Sequence, residues 1–155
     1  MAPVLANKIP GLNQWDTPLD LGMTYKGTRL LGPNKRVRGV VFGTLLAAVA
    51  SLVIITVSDL PYAVNTFLIG GTFMGLGALL GDAIESFFKR RVGVKPGLSW
   101  FPFDQTDYII GGLLFSYPIL TPSMELVFQV FVLYFGLHIV VSYIGYLLGF
   151  KNKPI

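Results

Sequence analysis

The segment GDAIESFFKRRVGVKPGLSWFPFDQTD, residues Gly81 to Asp107, sets carboxylates and cations between two apolar runs. A helix continuing out of the first run brings Asp82, Ser86 and Lys89, at i, i+4 and i+7, onto one face as it leaves the hydrocarbon. Asp104 and Asp107, three apart, share a face at the start of the next run. Asp82, Asp104 and Asp107 thereby reach one side of the bilayer beside Lys89, Arg90 and Lys95. Carboxylates converging with cations at a membrane surface suit a divalent cation that neutralises phosphates, while Lys and Arg hold the remaining charge.

The 155-residue chain is 53% hydrophobic and only 13% charged, with a mean hydropathy of +0.65. That balance excludes an ordinary soluble domain and predicts an all-α integral membrane protein with a single domain over residues 1–155. Apolar runs predict spans over residues 38–58, 62–84, 104–121 and 125–149, since about 20 helical residues cross about 30 Å of hydrocarbon. The third run is short and contains Pro118, so it crosses only as a helix begun near Asp104. Gly39, Gly43, Ala47 and Ser51 recur at every fourth position, as do Gly71/Gly75 and Gly77/Gly81. Small residues so spaced let helix backbones approach closely in lipid, which implies a compact four-helix bundle, although the same spacing equally marks a homodimer face.

Charge gives the orientation. Lys8, Lys26, Arg29, Lys35, Arg36 and Arg38 precede the first run, Lys89 to Lys95 lie between the second and third, and Lys151 and Lys153 follow the fourth. The connections at 59–61 and 121–125 contain no Lys or Arg, so the basic segments, including the loop segment 1–37, belong on the cytoplasmic side of a multi-pass cell-membrane protein. The net charge of +4 is explained by cations flanking spans, not by a nucleic-acid surface. No cysteine is present, which excludes disulfides and thiolate chemistry. The start lacks a basic head before a long hydrophobic stretch, so no signal peptide is read there.

The motif Gly81-Asp82-x3-Ser86-x2-Lys89-Arg90-x4-Lys95, followed by Asp104-x2-Asp107, resembles the signature of the CTP-dependent phosphatidate cytidylyltransferases, the CDP-diacylglycerol synthases. The short connection before Asp104 and the small size look like the archaeal branch of that family, the CDP-archaeol synthases. Pro18-Leu19-Asp20-Leu21-Gly22 and Gly27-x-Arg29-Leu30-Leu31-Gly32-x2-Lys35-x2-Arg38-Gly39 resemble the family's cytoplasmic loop, so the likeness covers nearly the whole chain. Arg36 stands where the family usually has Thr, which puts a hydroxyl contact there in doubt. The family usually has five helices, one of them before this loop.

The resemblance implies transfer of CMP from CTP to an unsaturated archaeal ether-lipid phosphate, an isoprenoid glycerol ether phosphate, with release of pyrophosphate. It implies catalytic roles for Asp82, Lys89, Asp104 and Asp107, with Mg2+ held by Asp82, Asp104 and Asp107. Phosphate contacts are expected from Asn34, Lys35, Arg38, Ser86, Lys89, Arg90 and Lys95. A lipid phosphate with a second ionisation near about pH 6 is largely dianionic at neutral pH and needs no general base. Span three is the expected wall of a side opening for the lipid, with Gly111 and Gly112 letting a chain pass.

Each residue also has a plainer reading. Asp104 and Asp107 suit the first turn of a helix, where the macrodipole favours carboxylates. Lys89, Arg90 and Arg91 suit interfacial anchoring, as do Trp15, Trp100, Phe101 and Phe103. Asp82 is less easily explained, because an unsatisfied acid ending a span costs about 3 kcal/mol. His138, the single histidine, is expected to hydrogen-bond inside the bundle to Tyr134 or Ser142. A small polytopic ion channel or transporter, with Asp82 and His138 on its path, is the alternative function.

Overall fold

The computed structural model describes residues 14–96 and 98–149. Four helices run through them: α1 (Val37–Val57), α2 (Val64–Arg91), α3 (Phe103–Leu120) and α4 (Met124–Leu147). A small hairpin, β1 (Thr24–Tyr25) paired antiparallel with β2 (Thr28–Arg29), precedes them. Helices α1, α2 and α4 are long and apolar enough to cross a membrane. Helix α3 has 18 residues and spends its first turns on Asp104, Gln105 and Asp107, so its composition is more polar than theirs. Lys8, Lys151 and Lys153, used above for orientation, lie outside the described residues.

Each helix ends where its sequence changes. α1 runs out at Ser58 before Asp59-Leu60-Pro61. α2 continues to Arg91, past the expected limit at residue 84, because no Gly or Pro interrupts Ser86 to Arg91. It stops at Gly93, whose φ of +80° is the left-handed conformation that closes a helix, and the Val94 N–H returns to the Lys89 carbonyl at 3.0 Å. This extra length carries Ser86 and Lys89 out of the apolar segment while keeping them on one rigid rod. α3 ends at Thr121 before Pro122, and Ser123 caps α4 by accepting the Leu126 N–H at 3.2 Å.

Packing is concentrated where small residues meet. A Cβ built at Gly71 would collide with the Ser51 side chain, and one at Gly75 with the Ala47 methyl. Between α2 and α3 the approach is backbone to backbone: a Cβ at Gly77 would strike the Gly111 carbonyl, and one at Gly81 the Asp107 carbonyl. Without side chains at these crossings, dispersion contacts between the helix backbones replace the hydrophobic force that lipid does not supply. Gly111 and Gly112 are therefore buried against α2 instead of opening a passage; a Cβ at Gly112 would meet Met74. The small residues that sequence reading assigned to a lipid path are helix-packing residues, because they face the neighbouring rod.

Residues 14–36, which lead into α1, are folded and not slack. Asp20 is buried and accepts from the Gly22 N–H at 3.1 Å, the Leu31 N–H at 3.1 Å and Arg29 Nη2 at 2.6 Å. Burial works to raise its pKa, but the Arg29 guanidinium and the two N–H donors outweigh it and hold the carboxyl below the usual range. Arg36, the departure from the family pattern, ion-pairs with Asp16 and donates to the Asp16 carbonyl at 2.7 Å. The Leu19 N–H to Lys35 carbonyl bond at 3.0 Å then sets Lys35 beside the exit of α2.

Candidate active site

The Gly81–Asp107 backbone contact brings the polar end of α2 against the first turns of α3. There Asp82, Glu85 and Asp107 each offer a carboxylate oxygen, and these oxygens lie within 4.8 Å of one another. Asp82 and Asp107 are half-buried and Glu85 is buried. Three hard anionic oxygens from two rigid helices suit a hard divalent cation, which repays the cost of gathering like charges away from bulk water.

The fold gathers the expected Asp82 and Asp107 with Glu85, and the expected Asp104 lies against Glu85 and Lys89 at the edge of this group. Asp104 accepts from Lys89 Nζ at 2.5 Å with one oxygen and from the Trp100 N–H at 2.8 Å with the other. It is the neighbour of the cluster and the partner of Lys89. Glu85 was passed over by sequence reading. Its signal was present in Asp82-x2-Glu85, an i, i+3 pair that shares a helix face.

The cations distribute unevenly. Lys35 Nζ reaches Asp82 at 2.5 Å, tying the amino-terminal loop to α2. Lys89 is buried, paired with Asp104 and 3.6 Å from Glu85. Ser86 is buried one turn below Lys89 on the same face. Arg90 donates to the Val94 carbonyl at 2.5 Å and its side chain passes under Gly32. Arg38 is buried and engaged with the Trp15 carbonyl at 3.3 Å and Asp16 at 3.4 Å, so it fastens the loop to α1. Asn34 and Lys95 are exposed on loops beside this end of the bundle. Of the expected phosphate contacts, Lys35, Ser86 and Lys89 converge with the acids, whereas Arg38 and Arg90 hold backbone.

The aromatics meet at the same end. Trp100 packs on Phe103 with centroids 4.3 Å apart. Arg91, expected to anchor, lies over the Phe87 and Tyr25 rings at 4.5 and 4.9 Å. The His138 ring lies 5.7 Å from that of Tyr108, whose hydroxyl donates to the Tyr134 carbonyl at 3.2 Å.

Known proteins resemble this chain in sequence and in fold. The family model for CarS-like CDP-archaeol synthases matches residues 2–155. A CDP-archaeol synthase of Methanospirillum hungatei is 35% identical over 97% of this chain and 96% of its own length. That of Methanoculleus marisnigri is 38% identical over 89% of each chain. A solved structure described as an intramembrane enzyme for archaeal membrane lipid biosynthesis superposes with a TM-score of 0.70 at 26% identity, covering 91% of this chain and 88% of that one. With the family matched over nearly the full length and the acidic end of α2 and α3 in place, the chain belongs to the CDP-archaeol synthase family and is a membrane-embedded, CTP-dependent nucleotidyltransferase.

Proposed function

We propose that the protein transfers CMP from CTP to the phosphate of an unsaturated archaeal ether lipid, on the cytoplasmic side of the membrane. A lipid phosphate oxygen forms a bond to the α-phosphorus of CTP, the bond from that phosphorus to the bridging oxygen breaks, and pyrophosphate leaves. The observation that carries this reading is the acid cluster Asp82, Glu85 and Asp107, flanked by Lys35 and Lys89 at one end of the bundle.

The lipid phosphate is largely dianionic at neutral pH, with a second ionisation near about 6, so the nucleophile requires no side-chain base. The barrier lies in bringing a dianion to a triphosphate. Asp82, Glu85 and Asp107 would hold Mg2+, which when bound offsets that repulsion and aligns attacking and leaving oxygens. Lys89, released from Asp104 by a competing phosphate, donates charge-assisted hydrogen bonds to it. Lys35 does the same from the loop, and Asp104 positions Lys89. Asn34 and Lys95 are exposed within the loops that border the nucleotide's approach, and Arg38 and Arg90 keep those loops in place. Apolar helix surface around the cluster lets isoprenoid tails remain in hydrocarbon while the headgroup reacts.

The test is incorporation of labelled CTP into chloroform-extractable lipid by the protein in vesicles containing di-O-geranylgeranylglyceryl phosphate. Label appears in lipid with Mg2+ and disappears with EDTA. Unchanged incorporation in EDTA would contradict the metal assignment, and ion flux into vesicles without incorporation would favour a transporter.

A further inference from the structure

The hairpin β1–β2 and the turn that leads into it have no assigned task, and together they expose large apolar side chains at the basic end of the molecule. Leu21 is 72% exposed, Met23 54% and Tyr25 52%. Residues Leu21 to Arg29 include no acid, and Arg29 spends its charge on buried Asp20, which leaves Lys26 at the tip. The tip is the two-residue turn Lys26-Gly27, with φ of +50° and +76°, the left-handed pair that a tight hairpin requires.

The direction of the apolar face is fixed by Arg91. Its guanidinium lies between the Tyr25 ring and the Phe87 ring of α2, so the Tyr25 side of the hairpin turns toward the end of a membrane-crossing helix. Met23, two residues from Tyr25, shares that side, and Thr24 points to the other. Exposed Phe88 and Val92 at the end of α2, and Phe101 and Phe103 at the start of α3, continue the apolar surface at this level. Aromatic and aliphatic side chains with adjacent cations are the composition of a segment seated in the headgroup layer.

We infer that the hairpin is a membrane-surface foot: Leu21, Met23 and Tyr25 enter the headgroup region of the surrounding bilayer, and Lys26 contacts anionic headgroups. The foot joins through the short turns of residues 30–34 to Lys35, so it holds that loop at the depth where a lipid phosphate resides. This inference rests on the membrane location of the chain and not on the reaction proposed above.

The chain has no cysteine, so single Met23→Cys and Thr24→Cys variants of the full protein accept one environment-sensitive fluorophore each. They are compared in phosphatidylglycerol vesicles carrying headgroup-level nitroxide lipid, with aqueous iodide as the opposing quencher. Lipid quenching at Met23 should exceed that at Thr24 by at least about twofold, with iodide giving the reverse order. Adding Lys26→Glu to the Met23 probe should weaken lipid quenching, since one cation near an anionic surface changes affinity on the order of five-fold. Equal lipid quenching at the two sites, or iodide reaching Met23 as readily as Thr24, overturns the foot; insensitivity to Lys26→Glu overturns its anionic contact.

Discussion

Helices α3 and α4 are neighbours in sequence and opposites in packing. α3 buries Gln105, Ile109, Gly111, Gly112, Ser116 and Leu120 along its length, and its glycines touch the α2 backbone. α4 is longer and more apolar, yet Ser142 is its single buried residue and a Cβ at Gly136 would meet nothing. The contrast separates two uses of a membrane helix. In α4 apolar side chains satisfy lipid. In α3 they are partly replaced by glycine, so that the backbone carrying Asp107 is pinned in register against the backbone carrying Asp82 and Glu85. Substitutions should therefore be severe on the α2–α3 seam and mild on α4.

The largest difference is expected for the acids. Asp82→Asn or Asp107→Asn keeps the shape but removes charge, and turnover in the lipid-incorporation assay should fall by about 10²–10³. Glu125→Gln at the start of α4 should leave turnover within a factor of about two, as surface changes away from special features usually do. Comparable losses at Glu125 would break the contrast. Next in size are the glycines. Gly77→Leu and Gly111→Leu must push two backbones apart, costing at least about 1–3 kcal/mol, whereas Gly136→Leu has open space. Thermal unfolding in detergent, followed alongside turnover, checks both; equal shifts at Gly111 and Gly136 would mean that the seam is not close-packed.

Smaller still is the difference between adjacent cations. Lys89→Met should lower kcat by about tenfold or more, since a charge-assisted bond to phosphate is worth about 1.5–3 kcal/mol. Arg91→Met should change kcat little and act on the hairpin instead. The smallest effect sharpens the loop: Asp20→Asn should cost about 1–3 kcal/mol by leaving Arg29 and buried N–H groups poorly matched. The folded Asp20 carboxyl sits below its ordinary value of 3.8, so its contribution is complete above that value and is lost as the pH falls through the lower folded pKa. Asp20→Asn should correspondingly flatten the acid limb of the stability curve.

The helix count was legible because hydropathy over tens of residues is a property of the chain itself, and Gly71, Gly75, Gly77 and Gly81 announced close packing by spacing alone. The gathering of acids was legible only in part. Asp82 and Asp107 meet because a tight crossing at Gly81 and Gly111 sets the register of two helices, and spacing within one helix does not reveal which turn of the next will face it. The diversion of Asp104 to Lys89 depends on how the 92–102 connection folds back, with the Trp100 N–H presented to the same carboxylate. Glu85 was hidden by attention to the i, i+4, i+7 row of Asp82, Ser86 and Lys89, although i+3 shares the face as well. Gly111 and Gly112 illustrate the reverse error, since small size alone does not distinguish a gap from a crossing.

The central claim is that α2 and α3 jointly build one divalent-cation site. Binding of Mn2+, as a spectroscopic stand-in for Mg2+, can be followed by electron paramagnetic resonance on the intact protein in vesicles with CTP present. The account predicts tight binding in the wild type and a loss of affinity of at least about tenfold for Glu85→Gln and for Asp107→Asn alike, because each removes one anionic ligand. Unchanged Mn2+ affinity in both Glu85→Gln and Asp107→Asn would contradict it.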